Sequence, residues 1–366
     1  MIAAVGGGAT RTISAGSYDI RLGAGLLAGF AAQIAEIAPA HRYAVITDSN
    51  VKSLYAGSLV SRLEAHGGVS LHTIPAGEEH KTRDTWSRIT DELLDAGCAR
   101  DTTVVALGGG VVGDLAGFVA ATFMRGVPVI QCPTTLLAMI DASVGGKTGV
   151  DTTAGKNLVG AFHAPSAVLM DVDVLRTLPA EQRRSGLAEA IKHGVIADAR
   201  YFAELGVSMA ALVAGDAETM LHAVARSVEI KASVVRNDVR ELGLRKTLNF
   251  GHTLGHAIEH VSGYSILHGY CVAIGMVLEA RIAERIQVAQ PGTSLEISRV
   301  LIAAGLPVEI PDTIDRDLVL VATRRDKKVR GGSVEYSLPS RVGAMADNDS
   351  LWAVRVDDET VRAVLA

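Results

Sequence analysis

Four short runs rich in aliphatic and β-branched residues, Tyr43–Thr47, Val69–Ile74, Thr102–Leu107 and Val129–Gln131, alternate with stretches of helical patterning. Strands separated by helices are joined by crossovers rather than tight turns. They therefore pair in parallel and are covered by helices on both faces. A helix is predicted at about Thr82–Ala96, and Pro128 stands at the entry to the last run, where a missing N–H does least harm. The expectation for this half is an α/β layer structure.

The pattern changes after Leu178 and Pro179. Long helical stretches follow at Ala180–Ile196, Ala217–Val239, Thr247–Val261, His268–Gln287 and Ser294–Ala304, and strand-like sequence is rare until Ser333–Leu338. A boundary near Thr177 divides the chain into an α/β domain, 1–177, and a helical domain, 178–366, as its length leads one to expect. A cleft between two such halves is the default place for a ligand.

Composition removes several function classes. Aromatic residues are only 4% while hydrophobic residues make up 48%, which suits a packed enzyme core better than an aromatic stacking surface. A net charge of −5 argues against broad nucleic-acid binding. Cys98, Cys132 and Cys271 are widely spaced among apolar residues and read as reduced structural thiols, as in a cytoplasmic protein. The first residues lack the basic and apolar regions of a signal peptide, and no apolar run reaches the ~20 residues of a membrane span.

Val104–Phe118 reads VVALGGGVVGDLAGF. Gly108, Gly110 and Gly113 form G-x-G-x-x-G between a predicted strand and a predicted helix, the context in which this short pattern points to a dinucleotide pyrophosphate at a helix N-terminus. The bland alternative is a tight turn. The turn lies about one hundred residues into the chain, and no acidic residue follows at the usual ribose-binding distance. Asp48, at the end of an earlier strand, is a substitute, and Glu78 and Lys81 stand at another strand end.

Gly146, Lys147 and Thr148 do not complete a P-loop, because Asp141 occupies the position of its first glycine. Lys147, Lys156 and Asn157 nevertheless lie in glycine-rich, nearly uncharged sequence, which predicts loops around an anion pocket.

His252, His256 and His260 are spaced by four, on one face of a predicted helix. Thr253 replaces the glutamate of a zinc peptidase H-E-x-x-H, so that reading fails. His268 opens the next helix. Glu189 is the one charge between Gly186 and Ile191, and a buried carboxylate needs a partner, here Lys192 or a metal ion. Spacing alone favours His252, His256 and His268 with Glu189 as a cation site.

Together these segments resemble the 3-dehydroquinate synthases of the sugar-phosphate cyclase superfamily. The matching stretches are Gly108–Asp114, Met124–Gly126, Pro133–Asp151, Gly155–Phe162, Gly186–Gly194, Leu244–Glu259, Leu267–Gly269 and Arg325–Lys328, and the likeness runs over nearly the whole chain. The resemblance implies a Rossmann-like NAD-binding α/β domain, an all-α C-terminal domain and a homodimer. It implies a divalent metal, Zn2+ or Co2+, on Glu189, His252 and His268, with His256 turned to the substrate and His260 without a role. NAD would be held at Asp48, Glu78, Lys81, Gly109, Gly110, Asp114, Thr134, Thr135, Lys147, Lys156 and Thr177. Lys147, Asn157, Lys192, Lys231, Arg245, Asn249 and His256 would be catalytic, and Arg125, Asp141, Lys156 and Lys328, with Lys327 as its alternative, would bind substrate, Arg125 across the dimer.

The implied reaction converts 3-deoxy-D-arabino-heptulosonate 7-phosphate to 3-dehydroquinate by transient oxidation, loss of phosphate, re-reduction and aldol closure. Departures from the family pattern are Tyr270 after Gly269 and His163 after Phe162. The alternatives are a cyclase acting on sedoheptulose 7-phosphate, a metal-dependent polyol dehydrogenase and a non-enzymatic nucleotide-binding protein. The lysines argue against the dehydrogenase. Asn249, His256 and Lys328 argue against the other cyclases.

Overall fold

The structure is a computed structural model that describes residues 10–153, 155–324, 329–330, 333–349 and 351–366. It contains two compact units, Met1–Leu178 and Pro179–Ala366. The first is a layered α/β unit. Its strands are β1 (Arg11–Ser14), β2 (Asp19–Gly23), β3 (Arg42–Asp48), β4 (Gly68–Ile74), β5 (Thr102–Gly108), β6 (Val129–Pro133), β7 (Lys147–Thr152), β8 (Gly155–Phe162) and β9 (Ala167–Asp171). Seven form one sheet in the order β1-β2-β9-β6-β5-β3-β4, parallel except for β1.

All seven residues of β5 are buried. Val104 and Ala106 point to one apolar layer with Ile89, Leu93, Leu115 and Val119. Val105 and Leu107 point to the other, with Phe30, Ile34, Leu59 and Leu63. This is the period-two pattern of a strand covered on both faces. The covering helices are α1 (Phe30–Ile37), a single turn α2 (Ser49–Val51) that runs through a π segment (Lys52–Ala56) into α3 (Gly57–Leu63), α4 (Arg83–Asp95) and α5 (Gly110–Thr122).

β3 has β4 on one side and β5 on the other, so the chain reverses its direction of travel across the sheet there. In open parallel sheets ligands bind beyond the strand C-termini at such a reversal. Asp48 and Gly108 end these two neighbouring strands.

The segment around Lys147, Lys156 and Asn157 is not a set of loops. β7 and β8 form an antiparallel hairpin, Lys147 opposite Phe162 and Gly149 opposite Gly160. Its glycines permit close strand contact: a Cβ on Gly160 would lie 2.0 Å from the Thr148 carbonyl oxygen. Glycine-rich sequence predicts loops here, but the glycines mark close backbone approach.

The second unit is built of α6 (Ala180–Ala197), α7 (Ala199–Ala214), α8 (Ala217–Asn237), α9 (His252–Val261), α10 (His268–Arg285), α11 (Thr293–Ala303), α12 (Arg316–Thr323) and α13 (Asp358–Leu365). Sequence patterning overlooked α7, although Asp198 caps its start by accepting from the Tyr201 N–H and left-handed Gly215 ends it. Leu254, Ile258, Ile274, Leu278, Ile282, Val319 and Val361 form the core around α9 and α10. Small antiparallel pieces complete the unit: β10 (Val329–Arg330), β11 (Ser333–Tyr336), β12 (Pro339–Arg341), β13 (Ala344–Met345) and β14 (Val354–Arg355), with β11 between β10 and β14 and β12 against β13.

The single helix expected over Thr247–Val261 is two pieces. A 3-10 helix, Leu244–Asn249, is followed by a turn at Phe250 and Gly251, and α9 begins only at His252. Gly251 has φ +78°, a left-handed conformation that interrupts a continuous helix. No helix among the described residues is long and apolar enough to cross a membrane. Cys98, Cys132 and Cys271 are buried free thiols.

Candidate functional site

In the first unit the glycine turn joins β5 to α5. Gly109 is the N-cap of α5, in extended conformation, and has no side chain to cap the first amides of this helix. Any side chain would fill the space beside the turn: a Cβ on Gly109 would meet Thr135 Cγ2 at 3.1 Å, and one on Gly110 would meet Ala142 Cβ at 3.3 Å. The Thr134 N–H donates to the Gly108 carbonyl at 2.9 Å. The buried Thr134 hydroxyl has no hydrogen bond. A glycine-lined helix N-terminus with an unmet hydroxyl beside it fits a dinucleotide phosphate.

Next to this turn lies Lys81, 3% exposed. Its Nζ is 2.7 Å from Glu78, 3.3 Å from Asp114 and 3.7 Å from Asp151, and Lys156 approaches Glu78 at 3.8 Å. Burial opposes the Lys81 charge, but Asp114, Glu78 and Asp151 outweigh it and hold the amine above its usual range. Burial pushes Asp114 up to about 6, Lys81 offsets this only in part, and Glu78 and Asp141 add to it. Burial likewise raises Asp151, whereas at Glu78 the effect of burial is overcome by Lys81 and Lys156, which leave it lowered.

Asp151 also ties the hairpin to this cluster. Its N–H donates to the Lys81 carbonyl at 2.7 Å, and its Oδ1 accepts from the Asn157 N–H at 2.9 Å. Asn157 sits at φ +54°.

Several of the remaining first-unit candidates make local bonds. Asp48 caps the following helix, its Oδ1 accepting from Asn50 and Val51 N–H at 2.8 and 3.0 Å. Thr135 Oγ1 accepts from Ala138 N–H at 3.1 Å, and Thr177 Oγ1 is 2.6 Å from the Tyr55 hydroxyl. Lys147 and Arg125 are exposed, Arg125 at φ +69°, and Asp141 is half-buried in a π segment, Ala138–Ala142. His163, a departure from the family pattern, makes a local bond from Nε2 to the Val127 carbonyl at 3.0 Å.

In the second unit Glu189 is fully buried on α6. One of its oxygens, Oε2, is paired with Lys192. The other, Oε1, faces His252 Nε2 at 3.3 Å and His268 Nε2 at 3.7 Å, yet makes no hydrogen bond. The rings of His252, His256 and His268 lie 5.2–5.6 Å apart, and one ligand atom from each falls within 4.8 Å of the others. His260 is exposed and packs on Tyr264, with ring centroids 6.0 Å apart.

The far nitrogens of two rings are occupied. His252 Nδ1 is 3.0 Å from the Phe250 carbonyl, and His268 Nδ1 is 3.3 Å from Glu259 Oε2. Such partners fix the tautomer and leave Nε2 to act as ligand. An unsatisfied carboxylate oxygen facing two imidazole Nε2 atoms fits a divalent cation of the Zn2+ or Co2+ kind.

In the protein alone, burial opposes ionisation of Glu189, but Lys192 and the histidines overcome it and hold the carboxyl well below its usual range. Burial lowers His252 in spite of Glu189. Burial also works against the His268 charge, but the nearby carboxylates of Glu189 and Glu259 push it up to about 10.

Close backbone packing brings these helices together. A Cβ on Gly275 of α10 would lie 2.0 Å from the Gly251 carbonyl oxygen, and one on Gly255 of α9 would lie 3.1 Å from the Cys271 carbonyl oxygen. A Cβ on Gly269 would lie 2.0 Å from the carbonyl oxygen of Ser185 on α6. The Ser185 hydroxyl in turn accepts from Gly269 N–H at 3.1 Å, directly after His268.

Other candidates in this unit are presented by the segment after α8. Asp238 accepts from the N–H groups of Leu242, Gly243 and Arg245 and so shapes that loop. Arg245 is buried and donates to the Val239 carbonyl at 2.7 Å, while Lys231 is buried on α8. Asn249 Nδ2 donates to Glu241 Oε1 at 2.7 Å. Lys327 and Lys328 lie outside the described residues.

Sequence reading passed over Asp151, Glu241, Glu259 and Glu279. Glu279 carried the signal that had picked out Glu189, a single carboxylate ending an uncharged run from Cys271 to Leu278.

Family models match both halves of the chain. The 3-dehydroquinate synthase N-terminal model matches residues 71–185, and the C-terminal model matches residues 186–329. The 3-dehydroquinate synthase of Symbiobacterium thermophilum is 46% identical over 329 residues, 89% of this chain and 92% of that protein. A crystal structure of 2-deoxy-scyllo-inosose synthase complexed with carbaglucose-6-phosphate, NAD+ and Co2+ superimposes with a TM-score of 0.90 at 27% identity, covering 97% of this chain and 99% of that one. ValA, the 2-epi-5-epi-valiolone synthase from Streptomyces hygroscopicus, with NAD+ and Zn2+ bound, gives 0.85 at 30% identity over 97% of both chains. With both halves matched by one family and near-full-length relatives at this identity, the chain belongs to the 3-dehydroquinate synthase family.

Proposed function

We propose that the chain is a 3-dehydroquinate synthase, a phosphate-eliminating lyase. It converts 3-deoxy-D-arabino-heptulosonate 7-phosphate to 3-dehydroquinate and phosphate with NAD and a divalent metal ion as cofactors. The observation that carries this reading is the buried Glu189 Oε1, without a hydrogen bond and facing the Nε2 atoms of His252 and His268, in a chain matched by this family in both halves. The first unit is the NAD-binding domain, and the second binds the metal and carries most of the substrate contacts.

The cation is held by Glu189, His252 and His268, and NAD by the turn at Gly109 and Gly110 with Asp48, Glu78, Lys81, Asp114, Thr134, Thr135, Lys147, Lys156 and Thr177. The metal, when bound there, would supply Lewis-acid polarisation of a substrate alcohol, and NAD a reversible hydride acceptor whose oxidation of that alcohol to a ketone would acidify the adjacent C–H. Lys192 keeps Glu189 ionised as a ligand and presents a second charge to the substrate. Lys147, Lys231, Arg245 and Lys328 neutralise its carboxylate and phosphate. Asn157 and Asn249 orient hydroxyls, and His256, the exposed ring of the histidine trio, moves protons at the ring. Asp141 and Lys156 complete the substrate contacts, and the substrate's own phosphate serves as base for its elimination.

The native assembly is a homodimer in which Arg125 reaches the partner's substrate phosphate. Exposed Leu158, Val159 and Phe162 on β8 supply apolar surface in support of association. The setting is cytoplasmic, in keeping with three free thiols.

The test is incubation of the purified chain with the sugar acid phosphate, NAD and Zn2+ or Co2+. Phosphate and 3-dehydroquinate are expected in equal amounts with no net NADH. Turnover of sedoheptulose 7-phosphate instead, or steady NADH accumulation, would overturn the assignment. Lys147→Ala is expected to abolish most phosphate release.

A further inference from the structure

Glu279 is fully buried on α10, and both of its carboxylate oxygens are used at the start of α9. Oε2 accepts from the Gly251 N–H at 2.7 Å, and Oε1 from the Leu254 N–H at 3.0 Å. His252 lies between these two anchored amides. Gly251, the N-cap of α9, has no side chain to cap the helix itself, and its φ of +78° disfavours one. The cap is therefore delivered from another helix, as a charge at the positive end of the α9 dipole.

The placement is tied to the cation cluster. Glu279 follows His268 by eleven residues on α10, a spacing that returns to nearly the same helix face. Gly275, one turn before Glu279, is the residue whose missing side chain lets α10 meet the Gly251 carbonyl. One face of α10 thus provides the His268 imidazole, the bare contact for the α9 entrance and the carboxylate that holds it. His252 has little freedom of its own, since its Nδ1 is bonded to the Phe250 carbonyl just before the clamp. Where Glu279 puts the first turn of α9, His252 Nε2 must follow.

We infer that Glu279 is a positioning residue for the cation site, setting the position of His252 relative to His268 by clamping the first turn of α9. This inference rests on the proposed reading of Glu189, His252 and His268 as metal ligands. A carboxamide at this position can accept only one of the two bonds and offers a donor to the second N–H. Loss of an outer partner of a metal ligand costs about 10–100-fold in affinity.

The experiment is Zn2+ binding to the full-length chain by chelator competition, together with the visible absorption of the Co2+-loaded protein and the melting curve of the metal-free protein. Glu279→Gln is expected to raise the Zn2+ dissociation constant by about 10–100-fold and to alter the Co2+ absorption bands while the metal-free protein still melts cooperatively. A folded Glu279→Gln protein with wild-type Zn2+ affinity and an unchanged Co2+ spectrum overturns the inference. So does a lowered melting temperature alone, which is all that a purely structural cap would give. Should Glu279→Gln fail to fold, Glu279→Asp takes its place. It keeps the charge but is one methylene too short to hold both amides, and the same two readouts decide. His252→Ala is measured in parallel: wild-type Zn2+ affinity there would refute the cation reading itself.

Discussion

Lys81 in the first unit and Glu189 in the second are electrostatic inverses. One is a buried cation surrounded by Glu78, Asp114 and Asp151, and the other a buried anion surrounded by Lys192, His252 and His268. Both follow from the rule that a buried charge must be paired. They differ in what remains over. The lysine cluster has more negative than positive groups, and one carboxyl, Asp114, is driven up to about 6. The glutamate cluster keeps an oxygen without a hydrogen bond. The first cluster fastens elements together beside the β5–α5 glycine turn, and the second has the donor set for an ion.

This contrast can be broken most directly at Glu189. Glu189→Gln should weaken Zn2+ binding by more than the ~10–100-fold that outer partners cost, since it removes a ligand charge. Equilibrium dialysis showing a smaller loss would mean that the histidines suffice. At the other hub, Lys81→Met should destabilise the protein by about 3–5 kcal/mol, the usual result of removing one partner from a buried ionic cluster. Urea unfolding at neutral pH measures it, and a change below about 1 kcal/mol would show that the three carboxylates do not depend on the lysine.

A smaller effect is expected where backbone contact rather than charge sets the geometry. Gly275→Ala introduces a Cβ 2.0 Å from the Gly251 carbonyl oxygen. Its cost should be about 3 kcal/mol, the upper end for overpacking, read as a fall in melting temperature. Unchanged melting would mean that α9 and α10 separate freely.

The mildest prediction concerns pH. The folded-state value of Asp114 is raised above its usual one, so its contribution to stability is present at low pH and is lost as pH rises through about 6. The melting temperature of metal-free Asp114→Asn, minus that of the unsubstituted chain, should therefore climb between about pH 4 and 6 and level off above. A difference that is flat across this range would place the strain elsewhere in the cluster.

The two regions were unequally legible in sequence. Strand alternation and the G-x-G-x-x-G turn are local signals, and they led to the parallel sheet and to the β5–α5 turn. Spacing groups His252, His256 and His268 with Glu189 as cation-site candidates, but the geometry of their convergence depends on helix crossings at Gly251, Gly255, Gly269 and Gly275, which periodicity does not encode. Glycine misled in opposite ways. In β7 and β8 glycine-rich sequence predicts loop where the structure has close strand pairing, and at Gly251 helical patterning runs across a residue that divides the helix. Glu279 acts through backbone amides far from it in sequence, and Asp151 joins the nearby Asn157 amide to the distant Lys81 carbonyl; composition gives no sign of such partners.

The bare glycine contacts among α6, α9 and α10 have a thermodynamic consequence for loading. Where main chains touch directly, there are few rotamers to sort out, so the imidazoles and the carboxylate are brought into register as the polypeptide folds. An incoming ion then meets donors whose conformational freedom has already been surrendered, and the entropy of assembly is charged to folding rather than to capture.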